Sequence, residues 1–543
     1  MDMDPSVHGH DGRQQLSPAL NETHMELPMT EMDAEGCYEP EICGSTSMEL
    51  LSNELEDRSF LSQCTWGGCC IVVLACLVTV FRNWSMATVG TRGPVVLDRG
   101  NRQQTLRGWG TSLCWMGNAI GRWENETLRS EVMDFLFDPD KGLAMNVVRY
   151  NIGGGESQKH HHFLRPGADV QGWLSANGTW DWNADLTQRW VLRAAVHRGV
   201  NLIEAFSNSP PYWMTQSGSA TGSRDGRNNL KDEMYAPFAE YLVNVVQHLQ
   251  QHDNITVQKL SPINEPGSRW WKLGNNQEGC AFDKPSQNRI VKLVGRELKA
   301  RGLSSIAVAG PEEWSVEHTT DSILSYDEEA LSYMTSINTH AYKNTALEQL
   351  AQVGDRLGKE VWVSEYGLPG HNMQAAIRLA EVIRNDLTVL RASVWCYWLA
   401  TEPNDWGLFK TVWYGQPGIV SIGKQYYAFK QFSKHLRPGM QLLATDDSDS
   451  VVAADACNTA IVLINNRHSS ISRTYQLTGF CCNRTHLSMH RTSFNGDHKL
   501  LIDYQPLSEP QFSCKVPPHS ISTYIVVTEE CEGGLDRGVS KQD

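Results

Sequence analysis

The stretch VQKLSPINEP, residues 257–266, is a short apolar and β-branched run that ends in Asn264, Glu265 and Pro266. A solvated surface carboxylate needs neither an amide before it nor a proline after it. Buried parallel strands that end in polar residues have this form, because functional groups of barrel proteins lie at the carboxyl ends of the strands. The fold that can be predicted therefore depends on whether this pattern, a buried strand ending in polar residues, recurs along the chain.

Seven further β-rich runs occur, and helical stretches separate them. Most of the runs lack clean polar alternation, as expected of strands that are buried on both faces. Helical periodicity is clearest in residues 234–250 and 286–302, and Gly302 is a typical residue for the end of the second helix. The eight predicted strands are 107–115, 145–152, 201–209, 257–266, 304–313, 333–342, 360–367 and 392–400.

Eight alternating strand–helix units predict an α/β fold, a (β/α)8 TIM barrel, over residues 107–430. A doubly wound open sheet is the alternative, but no Gly-rich phosphate loop follows the first strand. Residues 431–528 change to β-runs between polar turns, which predicts an appended all-β sandwich domain. We expect residues 82–106 to form a stalk and strands that join the sandwich, and residues 529–543 to form a C-terminal tail.

The net charge of −15 is concentrated at the N-terminus. Residues 1–63 hold 14 Asp or Glu and 2 Arg, which gives −12 and leaves −3 for the rest of the chain. This acidic region has few aromatic residues and is expected to be disordered. A nearly neutral remainder offers no basic surface, so nucleic acid is not expected as a partner.

Residues 64–81, CTWGGCCIVVLACLVTVF, contain 18 consecutive uncharged residues. They predict a single transmembrane signal anchor with an extracellular or lumenal catalytic domain, or alternatively the signal sequence of a secreted protein. Arg58 before the segment and Arg82 after it do not favour this orientation. Five sequons and eight cysteines beyond the segment fit a glycoprotein with disulfides, although the pairing cannot be derived.

Two carboxylates end predicted strands on different sides of the barrel: Glu265 after strand four and Glu365 after strand seven. We expect them to face each other across the mouth. Glycoside hydrolysis needs such a pair, one to protonate the leaving oxygen and one to attack or to activate water. A separation of roughly 5–5.5 Å gives retention of configuration and roughly 6.5–9.5 Å gives inversion.

Other polar and aromatic residues follow the remaining strands and are candidates for supporting roles. Arg149 and Tyr342 could hold Glu365 ionised, and Asn264 could donate to a sugar 2-hydroxyl. His340 ends strand six, and Asn208 and Trp213 follow strand three. For Arg149 a structural salt bridge is the alternative, and for each tryptophan core packing is.

Four acidic residues and a run of histidines each have competing interpretations. Glu312 and Glu313 either bind sugar hydroxyls or belong to a solvated loop. Asp181 and Asp185 are expected to be loop charges. The run KHHHF, residues 159–163, invites a metal interpretation, but three consecutive histidines cannot all face one ion, so no metal is predicted.

The chain resembles glycoside hydrolase family 30, which belongs to a large clan of retaining enzymes. The resemblance covers roughly residues 94–528. Within the family the chain is most similar to fungal endo-β-1,6-galactanases, chiefly through GWGTSLCW and NNQEGC. The motifs that carry the family resemblance are RGWGTSLCW, NVVRYNIGGG, SNSPPYWMTQSG, SPINEPGSRWW, VSEYG and YYAFKQFSKHLRPG.

The resemblance implies that Glu265 is the acid/base and Glu365 the nucleophile, with Arg149, Asn264 and Tyr342 in support. It also implies that Trp109, Trp115, Trp213 and Trp398 line the subsites. The expected function is that of a monomeric retaining endo-glycosidase acting on β-1,6-galactan by double displacement, without a metal or organic cofactor. The alternatives are another β-glycan as substrate (β-1,6-glucan, xylan or glucosylceramide), or a membrane-anchored carbohydrate-binding protein without turnover.

Overall fold

A computed structural model describes residues 93–479 and 485–528. The predicted acidic region 1–63, the apolar segment 64–81 and the tail 529–543 lie outside these residues. Within them, no helix combines the length and the apolar character needed to cross a bilayer.

The strands fall into a parallel barrel sheet and several smaller sheets. In chain order they are β1 Val95–Asp98, β2 Arg102–Thr105, β3 Gly108–Ser112, β4 Val147–Asn151, β5 Leu202–Phe206, β6 Lys259–Ser261, β7 Ala307–Val308, β8 Pro311–Ser315, β9 Ser336–Lys343, β10 Glu360–Tyr366, β11 Val394–Tyr397, β12 Thr401–Glu402, β13 Phe409–Thr411, β14 Ile419–Ile422, β15 Gln441–Leu443, β16 Ser450–Ala454, β17 Asn458–Asn465, β18 Ile471–Thr478, β19 Thr485–Ser493, β20 Gly496–Leu507, β21 Gln511–Val516 and β22 Ser520–Thr528.

The helices lie mainly between the barrel strands. They are α1 Met116–Gly121, α2 Glu126–Phe137, α3 Leu186–Val196, α4 Tyr235–His252, α5 Lys284–Ala300, α6 Val316–Ile323, α7 Glu328–Ser332, α8 Leu347–Leu357, α9 Met373–Thr388 and α10 Lys424–Ser433. Short 3-10 turns cover His161–Phe163, Tyr212–Met214 and Asp232–Met234.

The parallel sheet has the order β7-β6-β5-β4-β3-β11-β10-β9-β8. Its two ends, β7 and β8, are consecutive in the chain and together form the fifth barrel strand. Ala309 N donates to Leu260 O of β6 at 3.0 Å, and Asn338 N of β9 donates to Gly310 O at 2.9 Å, so the interrupted strand joins both neighbours. The predicted (β/α)8 barrel is confirmed.

Helix α5 shows how the sequence specifies one of the outer helices. Asp283 caps its N-terminus by accepting a hydrogen bond from Ser286 N at 3.0 Å. Its buried side chains recur every three or four residues, which turns one apolar stripe toward the barrel. These buried residues are Gln287, Ile290, Val291, Val294, Gly295 and Leu298.

The C-terminal region is an all-β sandwich, as predicted. A seven-stranded sheet, β2-β15-β16-β17-β22-β19-β20, encloses a second apolar core with the three-stranded sheet β1-β18-β21. Strands β1 and β2 precede the barrel in the sequence but belong to these two sheets. Helix α10 connects the two parts, and Gln431 on this helix donates to Thr492 Oγ1 of β19 at 2.9 Å.

The described cysteines are all free thiols: Cys114, Cys280, Cys396, Cys457 and Cys514. The other three that follow the apolar segment, Cys481, Cys482 and Cys531, lie outside the described residues. The disulfides expected from the sequence therefore stay a prediction for pairs that involve those three.

Candidate active site

The two predicted carboxylates meet at the mouth of the barrel. Glu365 lies near the end of β10, and Glu265 lies on the loop after β6. His340 of β9 stands between them, with its Nδ1 3.1 Å from Glu265 Oε1 and 3.5 Å from Glu365 Oε1. One carboxylate oxygen of Glu265 and one of Glu365 lie within 4.8 Å of each other.

Glu265 has a backbone conformation that few non-glycine residues adopt. Its φ is 46°, in the left-handed region. The loop holds it there from both sides: Glu265 N donates to Glu312 O at 2.7 Å, and its carbonyl accepts a hydrogen bond from Trp271 Nε1 at 2.9 Å. Strained residues of this kind cluster at functional sites, where surrounding contacts compensate the strain.

Glu365 accepts a hydrogen bond at each carboxylate oxygen. Arg149 Nη1 donates to Oε2 at 2.9 Å, and Tyr342 OH donates to Oε1 at 2.9 Å. Burial raises the pKa of Glu365, and the positive charges of His340 and Arg149 act in the opposite direction. Because both oxygens are acceptors, the hydrogen bonding favours the carboxylate over the acid.

Arg149 of β4 is fully buried and has three carboxylate partners. Besides Glu365, its Nε lies 3.0 Å from Glu204 Oε1 and its Nη2 lies 3.0 Å from Glu312 Oε2. Burial alone would lower the pKa of Arg149, but the carboxylates of Glu312, Glu204 and Glu365 raise it. A buried cation needs such partners, since an unpaired one would cost several kcal/mol.

Glu204 and Glu312 form a second layer of charge beneath the mouth. Asn338 Nδ2 donates to both, at 2.6 Å to Glu204 and 2.7 Å to Glu312. Burial and the charge of Glu312 raise the pKa of Glu204 to about 7. Burial would also raise the pKa of Glu312, but Arg149 and His340 lower it to about 2.

Sequence reasoning missed Glu204 and Asn338, and one of its two interpretations of Glu312 and Glu313 does not hold. The signal for Glu204 was a lone carboxylate inside the apolar run NLIEAF. The solvated-loop interpretation of Glu312 and Glu313 was wrong, because both side chains are buried and hydrogen bonded. The interpretation of Asp185 as a loop charge was also wrong. Its side chain is buried, and Tyr150 OH donates a hydrogen bond to it at 2.5 Å.

His340 is held as a cation by the carboxylates around it. Burial would lower its pKa, but Glu365, Glu265 and Glu312 raise it to about 10. Its Nε2 lies 3.3 Å from Glu312 Oε2, on the side opposite Glu265. A protonated imidazole has no free lone pair, so a metal held by His340 with Glu265 and Glu365 is chemically disfavoured.

The two predicted asparagines have different partners. Asn264 is buried beside Glu265, and its Oδ1 accepts a hydrogen bond from Arg149 Nη2 at 3.4 Å. Asn208 is also buried, and its Nδ2 lies 3.2 Å from Cys114 Sγ and 3.4 Å from Asn151 Oδ1. Asn264 therefore retains its amide nitrogen for a ligand, whereas the amide nitrogen of Asn208 is engaged within the protein.

The predicted tryptophans are not equivalent. Trp398 is partly exposed, and its ring lies edge-on against that of Trp115, 5.1 Å away. Trp115 is buried, with the Arg165 guanidinium 3.7 Å from its ring centre. Trp213 is partly exposed and donates from Nε1 to Leu174 O at 3.0 Å.

Trp109 was predicted to line a subsite, and this prediction was wrong. Its side chain is fully buried, and its Nε1 donates to Leu436 O at 2.7 Å. The ring packs edge-on against Phe429 of α10, 5.6 Å away. Trp109 therefore belongs to the core that joins the barrel to α10.

Trp270 is an aromatic residue that the sequence interpretation did not single out. It is 46% exposed and lies five residues after Glu265. Its ring centre lies 6.1 Å from that of Trp271 and 5.8 Å from that of Trp314 in β8. The signal was present in the motif SPINEPGSRWW, which places a tryptophan pair directly after the carboxylate.

Residues 93–408 match the model of O-glycosyl hydrolase family 30. The chain belongs to this family, and it is a glycoside hydrolase. It is 30% identical to an endo-β-1,6-galactanase from Hypocrea rufa over 416 residues, which cover 71% of this chain and 83% of that protein.

Two solved structures share the fold at lower identity. A conserved exported protein from Bacteroides fragilis has a TM-score of 0.70 and 21% identity, with coverage of 80% of this chain and 100% of the other. A family 30 subfamily 8 xylanase from Clostridium acetobutylicum has a TM-score of 0.62 and 19% identity, with the same coverage. At these identities the likeness concerns the fold alone.

Proposed function

We propose that the chain is a retaining endo-glycosidase that hydrolyses β-1,6-galactosidic linkages in arabinogalactan-type polysaccharides. The observation that carries the mechanism is the short distance between the carboxylates of Glu265 and Glu365, within 4.8 Å between one oxygen of each. Retaining enzymes place the pair roughly 5–5.5 Å apart, whereas inverting enzymes leave room for a water molecule at roughly 6.5–9.5 Å.

In the first step, Glu365 attacks the anomeric carbon as a carboxylate and forms a glycosyl ester. The bond from that carbon to the leaving oxygen breaks, and Glu265 donates its proton to that oxygen. His340 Nδ1 faces Glu265 Oε1 at 3.1 Å, so the acidic proton of Glu265 must reside on Oε2. Arg149 and Tyr342 align the nucleophile by holding one oxygen each.

In the second step, Glu265 is a carboxylate and takes a proton from water. The water oxygen attacks the anomeric carbon from the face vacated by the leaving group, and Glu365 departs with its electron pair. The imidazolium of His340 stabilises the ionised Glu265 that this step requires. His340 contacts the carboxylates of both Glu265 and Glu365, which suits a residue that acts in both steps.

Substrate groups around the reacting carbon have two candidate contacts. The amide nitrogen of Asn264 is placed to donate to the 2-hydroxyl of the sugar, a contact that strengthens in the transition state. Trp270 follows the acid/base in the chain and exposes its ring, so we place it against the sugar that leaves. Flat aromatic rings provide a large contact area for the apolar face of a sugar.

The choice of β-1,6-galactan rests on the relative from Hypocrea rufa, which is an endo-β-1,6-galactanase. The xylanase with a similar fold represents the rival substrates of the family, and at 19% identity it does not favour xylan. β-1,6-Glucan and glucosylceramide are the other alternative substrates.

We also propose that the enzyme acts outside the cytosol. Three of its sequon asparagines lie in the described residues, and all three are exposed: Asn125, Asn177 and Asn254. A shift in mobility after enzymatic removal of N-glycans, from protein made in a secretory host, would support this proposal.

Product analysis tests the proposed substrate. The full chain is incubated with de-arabinosylated arabinogalactan, and the released sugars are resolved by linkage and length. Short β-1,6-galacto-oligosaccharides, absent with Glu365→Gln, are the expected result. Cleavage of β-1,6-glucan or xylan instead would keep the mechanism and overturn the substrate. Binding without cleavage of any β-glycan would favour a carbohydrate-binding protein.

A further inference from the structure

Three histidines that are distant in the sequence meet where the barrel joins the sandwich. His435 follows α10, His490 lies in β19 and His498 lies in β20. One ring nitrogen of each lies within 4.8 Å of those of the other two, and His435 Nε2 is 2.9 Å from His498 Nε2. The cluster is separate from the carboxylates of the candidate active site.

The geometry is close to that of a three-histidine metal site. Zinc binds imidazole nitrogens at about 2.0–2.1 Å, so two ligands of a tetrahedral ion stand about 3.3 Å apart. The 2.9 Å between His435 Nε2 and His498 Nε2 needs to open by only a few tenths of an ångström. All three residues are partly exposed, which leaves access for the ion and for a water molecule as fourth ligand.

The β19–β20 hairpin carries His490 and His498, and its backbone is irregular at both residues. His498 has a φ of 53°, in the left-handed region. The pairing of β19 with β20 shifts register between Met489 and His490 and again between Arg491 and Ser493. Such irregularities re-aim side chains and are typical of functional positions.

The protonation of the cluster suits a metal ligand. Burial lowers the pKa of each ring, and neighbouring histidines lower it further for His435 and His498, to about 3 for His498. For His490 a hydrogen bond with the His498 backbone acts against burial, but the pKa is still lowered. The neutral imidazole that results is the form that binds metals. In this form one of the two facing Nε2 atoms carries a proton, which shifts to Nδ1 of the same ring when an ion binds Nε2.

The charged groups around the cluster are two lysines and one aspartate. Lys430 and Lys434 act on the rings as positive charges, and Asp503 acts on His490 as a negative one. Both ammonium groups are engaged with backbone carbonyls: Lys430 Nζ donates to Lys141 O at 2.9 Å and Lys434 Nζ to Asp140 O at 3.2 Å. These contacts direct the lysines to the α2–β4 loop.

We propose that His435, His490 and His498 bind a divalent first-row transition metal ion, such as Zn²⁺, that links α10 to the β19–β20 hairpin. Three imidazole nitrogens favour this class of ion over Mg²⁺ and Ca²⁺, which prefer oxygen ligands. The ion would reinforce a junction that already contains the hydrogen bond from Gln431 to Thr492 and the ion pair of Lys424 with Asp497.

The test measures bound metal in the full chain. Chelator-treated protein is titrated with Zn²⁺, and the tightly bound equivalents are counted after gel filtration. We expect His498→Ala to bind one equivalent fewer than the wild type. Added Zn²⁺ should raise the Tm of the wild type but not of His498→Ala, and Mg²⁺ should raise neither.

The matched control is His519→Ala. His519 lies in the same sandwich, has a φ of 46° and contacts one other histidine, His468, at 3.1 Å. A pair of this kind lacks the third ligand, so His519→Ala should keep the wild-type count. Retained hydrolytic activity shows that a variant has folded, and His490→Gln replaces His498→Ala if the latter has not.

Two outcomes would overturn the proposal. One is an unchanged Zn²⁺ count in both His498→Ala and His490→Gln. The other is a wild-type chain that binds no Zn²⁺. Co²⁺ provides a second readout: the visible absorption of tetrahedral Co²⁺ should appear in the wild type and be lost with His498.

Discussion

Two histidine environments in this molecule have opposite effects on the imidazole. At the barrel mouth the carboxylates around His340 raise its pKa to about 10, although its burial acts in the other direction. At the barrel–sandwich junction burial and other histidines lower the pKa of His498 to about 3. At His340 the carboxylates together outweigh burial, whereas at His498 burial is the largest cause and the neighbouring cationic groups act in the same direction.

The same contrast applies to the whole of each region. The mouth assembles anions around two cations, and the junction assembles neutral rings beside lysines. The first arrangement is suited to orient and stabilise carboxylates during proton transfer, and the second to accept a metal ion.

The largest effect is expected from Glu365→Gln. The amide keeps the shape but cannot form the glycosyl ester, so kcat/KM on β-1,6-galactan should fall by about 10⁴-fold or more, as for other nucleophile substitutions. Initial-rate kinetics with the purified full chain measure this. Residual activity above one hundredth of the wild type would contradict the assignment of the nucleophile.

Glu360→Gln is the matched control for that measurement. Glu360 opens the same strand, β10, at the far end from the mouth, and pairs with the exposed Arg107. Its replacement should change kcat/KM by less than about 2-fold, since an exposed pair of this kind contributes roughly 0–1 kcal/mol. A large loss with Glu360→Gln would show that β10 tolerates no change and would make the first result uninformative.

The next effect concerns stability. Arg149→Met leaves Glu204, Glu312 and Glu365 without their shared cation, and breaking a buried pair in this way costs about 3–5 kcal/mol. Urea unfolding should show that loss in the free energy of unfolding, together with loss of activity. Arg107→Met, which breaks an exposed pair, should cost no more than about 1 kcal/mol. Equal costs for the two variants would refute the role of Arg149.

A good part of this site followed from the sequence. Strand ends carry the chemistry of a barrel, so Glu265, Glu365 and Tyr342 could be found from the order of polar residues near the ends of apolar runs. Arg149 was expected after strand two, but it lies in the middle of β4, opposite Glu204. Glu204 lies in the middle of a strand, where one charged residue gives no strand-end signal.

Tryptophan positions were harder to predict. Trp109 and Trp270 both stand in family motifs, but motif position does not say which way a ring points. The packing of α10 against the barrel determines that Trp109 is buried, and this contact joins residues that are about 320 positions apart, from Trp109 to Phe429. The histidine cluster depends on the same kind of long-range contact.

The pH dependence of stability should report the charge of His340. Its pKa is raised from about 6.5 in an unfolded chain to about 10 in the folded one. The stability it contributes is therefore complete below about pH 6.5 and is lost as the pH rises through about 10. The wild type should lose a few kcal/mol more than His340→Gln between pH 7 and pH 10. Parallel curves for the two proteins would contradict a cationic His340.

The smallest effect is expected from Trp270→Ala. This variant tests whether the substrate-binding surface includes an uncharged aromatic residue beside the carboxylates. If the exposed ring stacks on the leaving sugar, its loss should lower kcat/KM on long galactan by about 10-fold, equivalent to about 1.4 kcal/mol. A galactosyl fluoride has no leaving sugar to contact this ring and should be hydrolysed at the wild-type rate. The matched control is Trp182→Ala, because Trp182 is similarly exposed but stacks between Trp180 and His248. Equal losses in the two variants would mean that Trp270 acts through the fold, whereas a loss confined to Trp270 and to long substrates would place a sugar against its ring.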